Sequence, residues 1–101
     1  MDYQVIWMDE AIADLKSIVL RIAQDNPDAA LRWGEKILQK PRLLSEQPRL
    51  GHRFEKLGRE DVRELNVPPY RIIYQILDST RTVWILTVWH GARKEPDLQL
   101  S

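Results

Sequence analysis

Apolar residues recur every three or four positions in the first half of the chain and give way to short β-branched and aromatic runs in the second. Ile12, Leu15, Val19 and Ile22 form one stripe, widened by Ile18 and Ala23, which predicts a helix over residues 9–24. Asp9 stands where an N-cap belongs, and Glu10 and Asp14 lie near the positive end of that helix. Before it, "YQVIW" at residues 3–7 reads as a strand. "DNPDAA" stops one helix and starts another: Asn26 is the expected cap, and Pro27 suits the first helical position, where its missing N–H has no partner to lose. The second helix carries Ala30, Trp33, Ile37 and Leu44 on one side. Pro41 removes a backbone hydrogen bond and crowds the carbonyl of Ile37, so a kink is expected between Gln39 and Arg42, with Leu44 keeping the register. "SEQPRLG" closes this helical half. So short a connection makes the two helices an antiparallel hairpin.

The period then changes. "HRFEKL", "VRELNV", "YRIIYQIL" and "TVWILTVW" read as strands separated by turn chemistry. Pro68 and Pro69 cannot donate to a ladder and divide residues 62–67 from 70–77, while "DST" at 78–80 is a hairpin turn. The last strand is apolar on both parities, so it belongs inside the sheet. The tail "KEPDLQLS", from about residue 94, is polar and expected to be flexible. The fold class is α+β: an N-terminal strand, an α-helical hairpin, then an antiparallel β-sheet, in one domain over residues 1–101.

Composition narrows the function classes. The chain has no cysteine, which excludes disulfides and thiolate metal sites and fits a reducing cytoplasm. No apolar run is long enough to span a bilayer, and "MDYQVIWMDE" lacks the layout of a signal peptide, so a soluble cytoplasmic protein without membrane contact is expected. Net charge is zero but uneven. Residues 1–30 hold six acids against Lys16 and Arg21, whereas residues 31–101 hold nine acids and thirteen bases. The overall basic footprint of a nucleic-acid binder is absent, though a local basic face is compatible with this split. Two histidines without cysteine make a structural zinc site improbable, the four glycines are too dispersed for a phosphate loop, and no serine sits in an elbow motif. No metal and no cofactor are expected.

Strand parity places the remaining polar groups. Arg63 shares a face with Leu65 and Val67, Arg71 with Ile73 and Gln75, and His90 continues the parity of Trp84, Leu86 and Val88. Arginines among apolar residues are costly to bury without a partner. Either each pairs with a carboxylate such as Glu64, or one sheet face is an open concave surface awaiting an anion. Arg63, Arg71, His90 and Arg93, with Arg53 and Lys56 from the preceding segment as RNA contacts, are the candidate basic patch. Metal-free RNA cleavage needs such a set: a base for the 2′-hydroxyl, an acid for the leaving oxygen, and guanidinium groups for the phosphorane. His90 has the chemistry for either proton role. It serves equally well as a strand-end residue bonded to nearby backbone. Trp7, Trp33, Trp84 and Trp89 sit in element registers and read as core more than as a stacking platform; Tyr70 and Tyr74 share one strand face.

The string "VREL", "YRIIYQI" and "V.IL.VWHGAR", with these separations, resembles the RelE/ParE superfamily of toxins from type II toxin–antitoxin systems, which includes plasmid stabilisation proteins. The likeness runs from Tyr3 to Arg93. It implies an antiparallel sheet against an α-hairpin, a growth-inhibiting toxin, and a cognate antitoxin partner through which alone the complex contacts DNA. RelE-like members cleave mRNA on the ribosome; ParE-like members poison DNA gyrase. By the resemblance, Arg71 matches the arginine that RelE-like enzymes place on phosphate, Arg63 lies on the strand of their paired lysines, and Arg93 lies within two positions of a later catalytic arginine. The departures are Glu64 in place of a base-rich strand, no lysine pair, no tyrosine in the tail and zero net charge. They tilt the expectation toward ParE-like gyrase inhibition, with RelE-like cleavage or an inactive member as alternatives.

Overall fold

The structure is a computed structural model that describes residues 2–95 and 97–100; Pro96 of the tail lies outside the described residues. Strand β1 (Gln4–Trp7) leads into helix α1 (Asp9–Asp25) and helix α2 (Pro27–Gln39). Strands β2 (His52–Arg53), β3 (Val62–Val67), β4 (Tyr70–Leu77) and β5 (Thr82–His90) follow. They form one sheet of order β1-β5-β4-β3-β2, in which β1 runs parallel to β5 and the other pairs are antiparallel. The α+β architecture read from the sequence is the one observed.

Local chemistry explains the boundaries and three differences from expectation. Asp9 is the first helical residue and not the cap; Met8 occupies the cap position and makes no side-chain cap bond. Asp9 and Glu10 still occupy the first turn, where the exposed N–H groups favour negative charge. Asn26 caps α2 as expected, its Oδ1 accepting from the Ala29 N–H at 3.0 Å. At Pro41 the helix tightens: α2 ends at Gln39 and the chain continues as a 3₁₀ helix over Lys40–Ser45, with Pro41 and Leu44 buried. "HRFEKL" supplies only the two residues of β2, because the chain turns at residues 55–58 and Phe54 drops into the core.

The helices cover one face of the sheet. Ala11, Ile18, Ile37 and Leu44 pack against Leu65, Ile72, Tyr74, Ile76, Val83, Ile85 and Val88, each large aliphatic contributing about 1.5–3 kcal/mol by its burial. The other, outer face carries a smaller cluster of Phe54, Val62, Ile73, Leu86 and Trp89, onto which Met8, Trp84, Leu98 and Leu100 pack. Described residues of the tail thus lie against the outer face. Strand β5 sits between β1 and β4 and is buried along most of its length, as its two-sided hydrophobicity predicts.

One irregularity decides where the polar groups go. The β4–β5 register steps from Ile73↔Thr87 to Tyr74↔Ile85, so Leu86 is an extra residue, a β-bulge. An extra residue reverses the alternation beyond it. Trp84 and Leu86 point to the outer face, while Val88 and His90 point to the helices. The parity that joined His90 to Trp84 and Leu86 is therefore corrected by the bulge.

Candidate functional site

The six residues of the expected basic patch separate into three places. Arg63 lies on the helix-covered face, opposite Tyr74. Its Nη1 donates to the carbonyl of Gly51 at 2.9 Å, its Nε to the carbonyl of Glu60 at 3.1 Å, and its Nη2 to the Glu60 carboxylate at 3.0 Å. Arg53 is its register partner across β2 and β3 and is exposed. These contacts make Arg63 a clamp on the segment before β2.

Arg71 points to the opposite, outer face. Its Nε and Nη2 each donate to one oxygen of the buried Glu64 carboxylate, both at 2.7 Å, and Nη2 also reaches Glu95 at 3.0 Å. The guanidinium lies 4.8 Å from the centre of the Trp89 ring and 5.8 Å from that of Phe54, positions suited to cation–π attraction. The Glu64 bond, followed by the charges of Glu64 and then Glu95, holds Arg71 protonated above its ordinary range, against the opposing cost of burial. Lys56 faces Asp97 at 3.9 Å. Of the two alternatives for these arginines, pairing with carboxylates is what the structure contains.

His90 and Arg93 form the third place, beside α1. The His90 Nδ1 accepts from the N–H of Ala92 at 3.1 Å, and its ring meets Tyr70 edge-on at 5.6 Å. The chain turns here with the Gly91 N–H on the Pro69 carbonyl at 2.7 Å and the Arg93 N–H on the His90 carbonyl at 3.0 Å. Gly91 is closely packed: a Cβ on it would stand 3.2 Å from the Pro69 carbonyl and 3.3 Å from Cδ of Arg71. Arg71 and His90 are thus close in the chain's path, but their side chains leave the sheet on opposite faces. Arg63, Arg71 and His90 do not share one pocket.

A family model described as ParE toxin of type II toxin-antitoxin system, parDE, matches residues 5–95. The chain belongs to the ParE toxin family. A curated relative, Toxin RelE2 of Caulobacter vibrioides, is 37% identical over 91 residues, which span 89% of this chain and 97% of the relative. Among solved structures, the chromosomal ParDE system from P. aeruginosa is similar at TM-score 0.73 and 20% identity, covering 87% of this chain and 95% of that one. The RelBE2 toxin–antitoxin complex from Mycobacterium tuberculosis is similar at TM-score 0.56 and 28% identity, covering 89% and 99%. This chain is therefore a toxin of the RelE/ParE superfamily.

The site residues of this ParE-family chain that sequence parity missed are acidic or helical. Glu60 and Glu95 complete the arginine pairs, and Asp14, Ser17 and Arg21 bring α1 to the end of β5. Their spacing of three and four residues was the available signal, a polar stripe beside the apolar one. Among the described residues no three His, Cys, Asp or Glu side chains converge to hold a metal, and no helix is long and apolar enough to cross a membrane.

Proposed function

We propose that the chain is the growth-inhibiting toxin of a type II module, held inactive by a cognate antitoxin, and that it acts in the ParE-like manner, by protein contact with DNA gyrase. The observation that carries this reading is the dispersal of the basic set. Arg71 is matched by Glu64 and Glu95, Arg63 is spent on Gly51 and Glu60, and His90 leaves the sheet on the face opposite Arg71. A metal-free nuclease needs its proton-transfer groups and its guanidinium groups around one phosphate. Balanced charge favours the same reading, because phosphate neutralisation supplies most of the affinity for nucleic acid.

An antitoxin has a surface suited to it. Strand β2 pairs only with Arg63 and Glu64, so β3 offers its edge from Leu65 to Val67. Beside that edge two hollows of about 500 and 550 Å³ share Lys40, Leu43 and Asn66, with Lys36 and the exposed Leu50 at their rims. An extended segment with apolar and acidic side chains fits strand addition there. The similar RelBE2 structure is itself a toxin–antitoxin complex. DNA contact by the assembled pair then comes from the antitoxin.

The second reading, a ribosome-dependent mRNA endoribonuclease, is favoured by one observation, the adjacency of His90 and Arg93 at one hollow. In that reading Arg71 and Arg63 take phosphate, with Arg53 and Lys56 as outlying RNA contacts. Induction of the gene in bacteria, with and without the neighbouring antitoxin frame, separates the two. A DNA-damage response with protein synthesis initially intact supports gyrase inhibition. An immediate halt in translation with cleaved messages, abolished by His90→Ala, refutes it in favour of the nuclease.

A further inference from the structure

Where β5 ends against α1, Asp14, Ser17 and Arg21 of the helix and Tyr70, His90 and Arg93 of the sheet side line a hollow of about 180 Å³. We propose that this hollow is a phosphate-binding site, with the oxygens held by Arg21, Arg93, the Ser17 hydroxyl and His90. It is separate from Arg71, which lies on the other face and is already matched by carboxylates.

Three observations carry the assignment. First, Arg21 and Arg93 line the same hollow, and neither is in an ion pair among the described residues; the exposed Arg32, Arg42 and Arg53 are also without one but do not line this hollow. Arg21 is one of only two bases in the acidic first thirty residues, yet it lines this hollow together with Arg93. Second, the imidazole is oriented. Its Nδ1 is occupied by the Ala92 N–H, so the neutral ring carries its proton on Nε2 and offers that atom as a donor. Third, the carboxylate in the wall is committed elsewhere: Asp14 Oδ2 accepts from the Thr87 hydroxyl at 2.6 Å and from the Val88 N–H at 3.1 Å. Its charge offsets one guanidinium and leaves the wall with a net positive charge.

Donor geometry selects the ligand. Two guanidinium groups, each presenting paired N–H donors, arrive from α1 and from the turn after β5, and a hydroxyl and an imidazole N–H add to them. A carboxylate has two oxygens in one plane and satisfies one such fork; a phosphate has oxygens directed tetrahedrally and accepts from several sides. The hollow admits a phosphate whether free or carried by a nucleotide.

The test is an NMR titration of isotope-labelled full-length protein at constant ionic strength, with inorganic phosphate, uridine 5′-monophosphate and acetate as separate probes. Saturable shifts are expected at His90, Ser17 and Arg93 with inorganic phosphate, at a Kd on the order of 1 mM. Arg21→Gln and Arg93→Gln, both exposed positions, each weaken binding about tenfold. Arg32→Gln, on α2, leaves it unchanged. Tighter binding of the nucleotide identifies a nucleotide-borne phosphate, and equal binding a free one. Non-saturable shifts, acetate binding as tightly as phosphate, or undiminished affinity in both arginine variants overturns the proposal. Amide spectra of the variants establish that each remains folded.

Discussion

Arg71 forks onto Glu64 with two bonds of 2.7 Å, and the carboxylate it holds is only 3% exposed. Among the described residues the other basic side chain facing that carboxylate is His52, whose Nε2 lies 3.7 Å away. Removing Arg71 strands a buried charge, which costs far more than the pair contributes by being present. Arg71→Ala is therefore expected to lower unfolding free energy by about 3 kcal/mol, measured by urea denaturation. The double variant Arg71→Met/Glu64→Leu, which removes both charges at similar volume, should recover most of that loss. Toxicity lost in the single variant and regained in the double would mean that Arg71 serves the fold and not the target.

The second test concerns a glycine. Gly51 donates its N–H to the hydroxyl of the fully buried Tyr74 at 2.9 Å, and its carbonyl receives Arg63. A Cβ at Gly51 would stand 2.4 Å from the Glu64 carbonyl and 2.8 Å from the Tyr74 hydroxyl. Gly51→Ala is expected to cost about 3 kcal/mol, from overpacking and the lost bond together. Gly58 has φ +62 and nothing within 4 Å of its Cβ position, so Gly58→Ala should cost only about 1 kcal/mol, from backbone strain alone. Paired thermal melts compare them, and equal losses would contradict the steric account.

Local and long-range contacts differ in how much of them the sequence discloses. Periodicity located both helices and the long strands because core burial dominates their placement, and Asn26-Pro27 is a local signal that needs no tertiary context. The even spacing of eight residues between Arg63 and Arg71 across a two-residue turn puts them on opposite faces, which the expectation of one shared basic patch overlooks. His90 was misplaced because a bulge at Leu86 has no local signature: the sequence runs "WILTVWH" without a glycine or other break. The closing of β2 after Arg53 depended on Phe54 finding a pocket under Trp89, with the rings 6.3 Å apart and at right angles. Such a contact spans 35 residues and cannot be read from either end.

Acid sensitivity follows from Arg49. This one side chain donates to Glu60 at 2.6 Å and to Asp78 at 2.8 Å, and Asp78 also accepts from the Tyr3 hydroxyl at 2.6 Å. Hydrogen bonds from Arg49, then from Arg63, hold the Glu60 carboxyl below the usual range; Arg49, then Tyr3, do the same for Asp78. The unfolded chain therefore binds protons more readily than the folded one. The stabilisation is complete above about pH 5 and is lost as pH falls through and below about 4. Melting temperatures measured from pH 7 to pH 3 should fall, and Arg49→Ala should flatten that fall while lowering stability at pH 7. Tyr74 shifts upward through burial, so an opposite loss belongs above about pH 10. A slope in the acid range unchanged by Arg49→Ala would remove this network as its cause.

Asp14 caps a stretch of β5 that has no neighbouring strand on one side. β1 accompanies β5 only from Gln4↔Thr82 to Trp7↔Ile85, which leaves the backbone of β5 beyond the bulge without a neighbouring strand on that side. Asp14 supplies the missing acceptor from α1, taking the Val88 N–H and the Thr87 hydroxyl. An unpaired edge so close to the core invites pairing with another chain, and a charged acceptor reached from a helix satisfies it without extending the sheet. Asp14→Ala is expected to cost about 2 kcal/mol, since two donors lose a charged acceptor, and to speed amide exchange at Val88. Asp14→Asn retains an acceptor oxygen and should recover about half of that stability. The same change removes the one negative charge among the described residues of the wall beside Arg21 and Arg93, so phosphate affinity should rise even as stability falls. Opposite movement of the two quantities in one variant separates the edge-guarding role of the carboxylate from its electrostatic effect on the hollow; a parallel fall would mean that Asp14 shapes the site only by holding the strand in place.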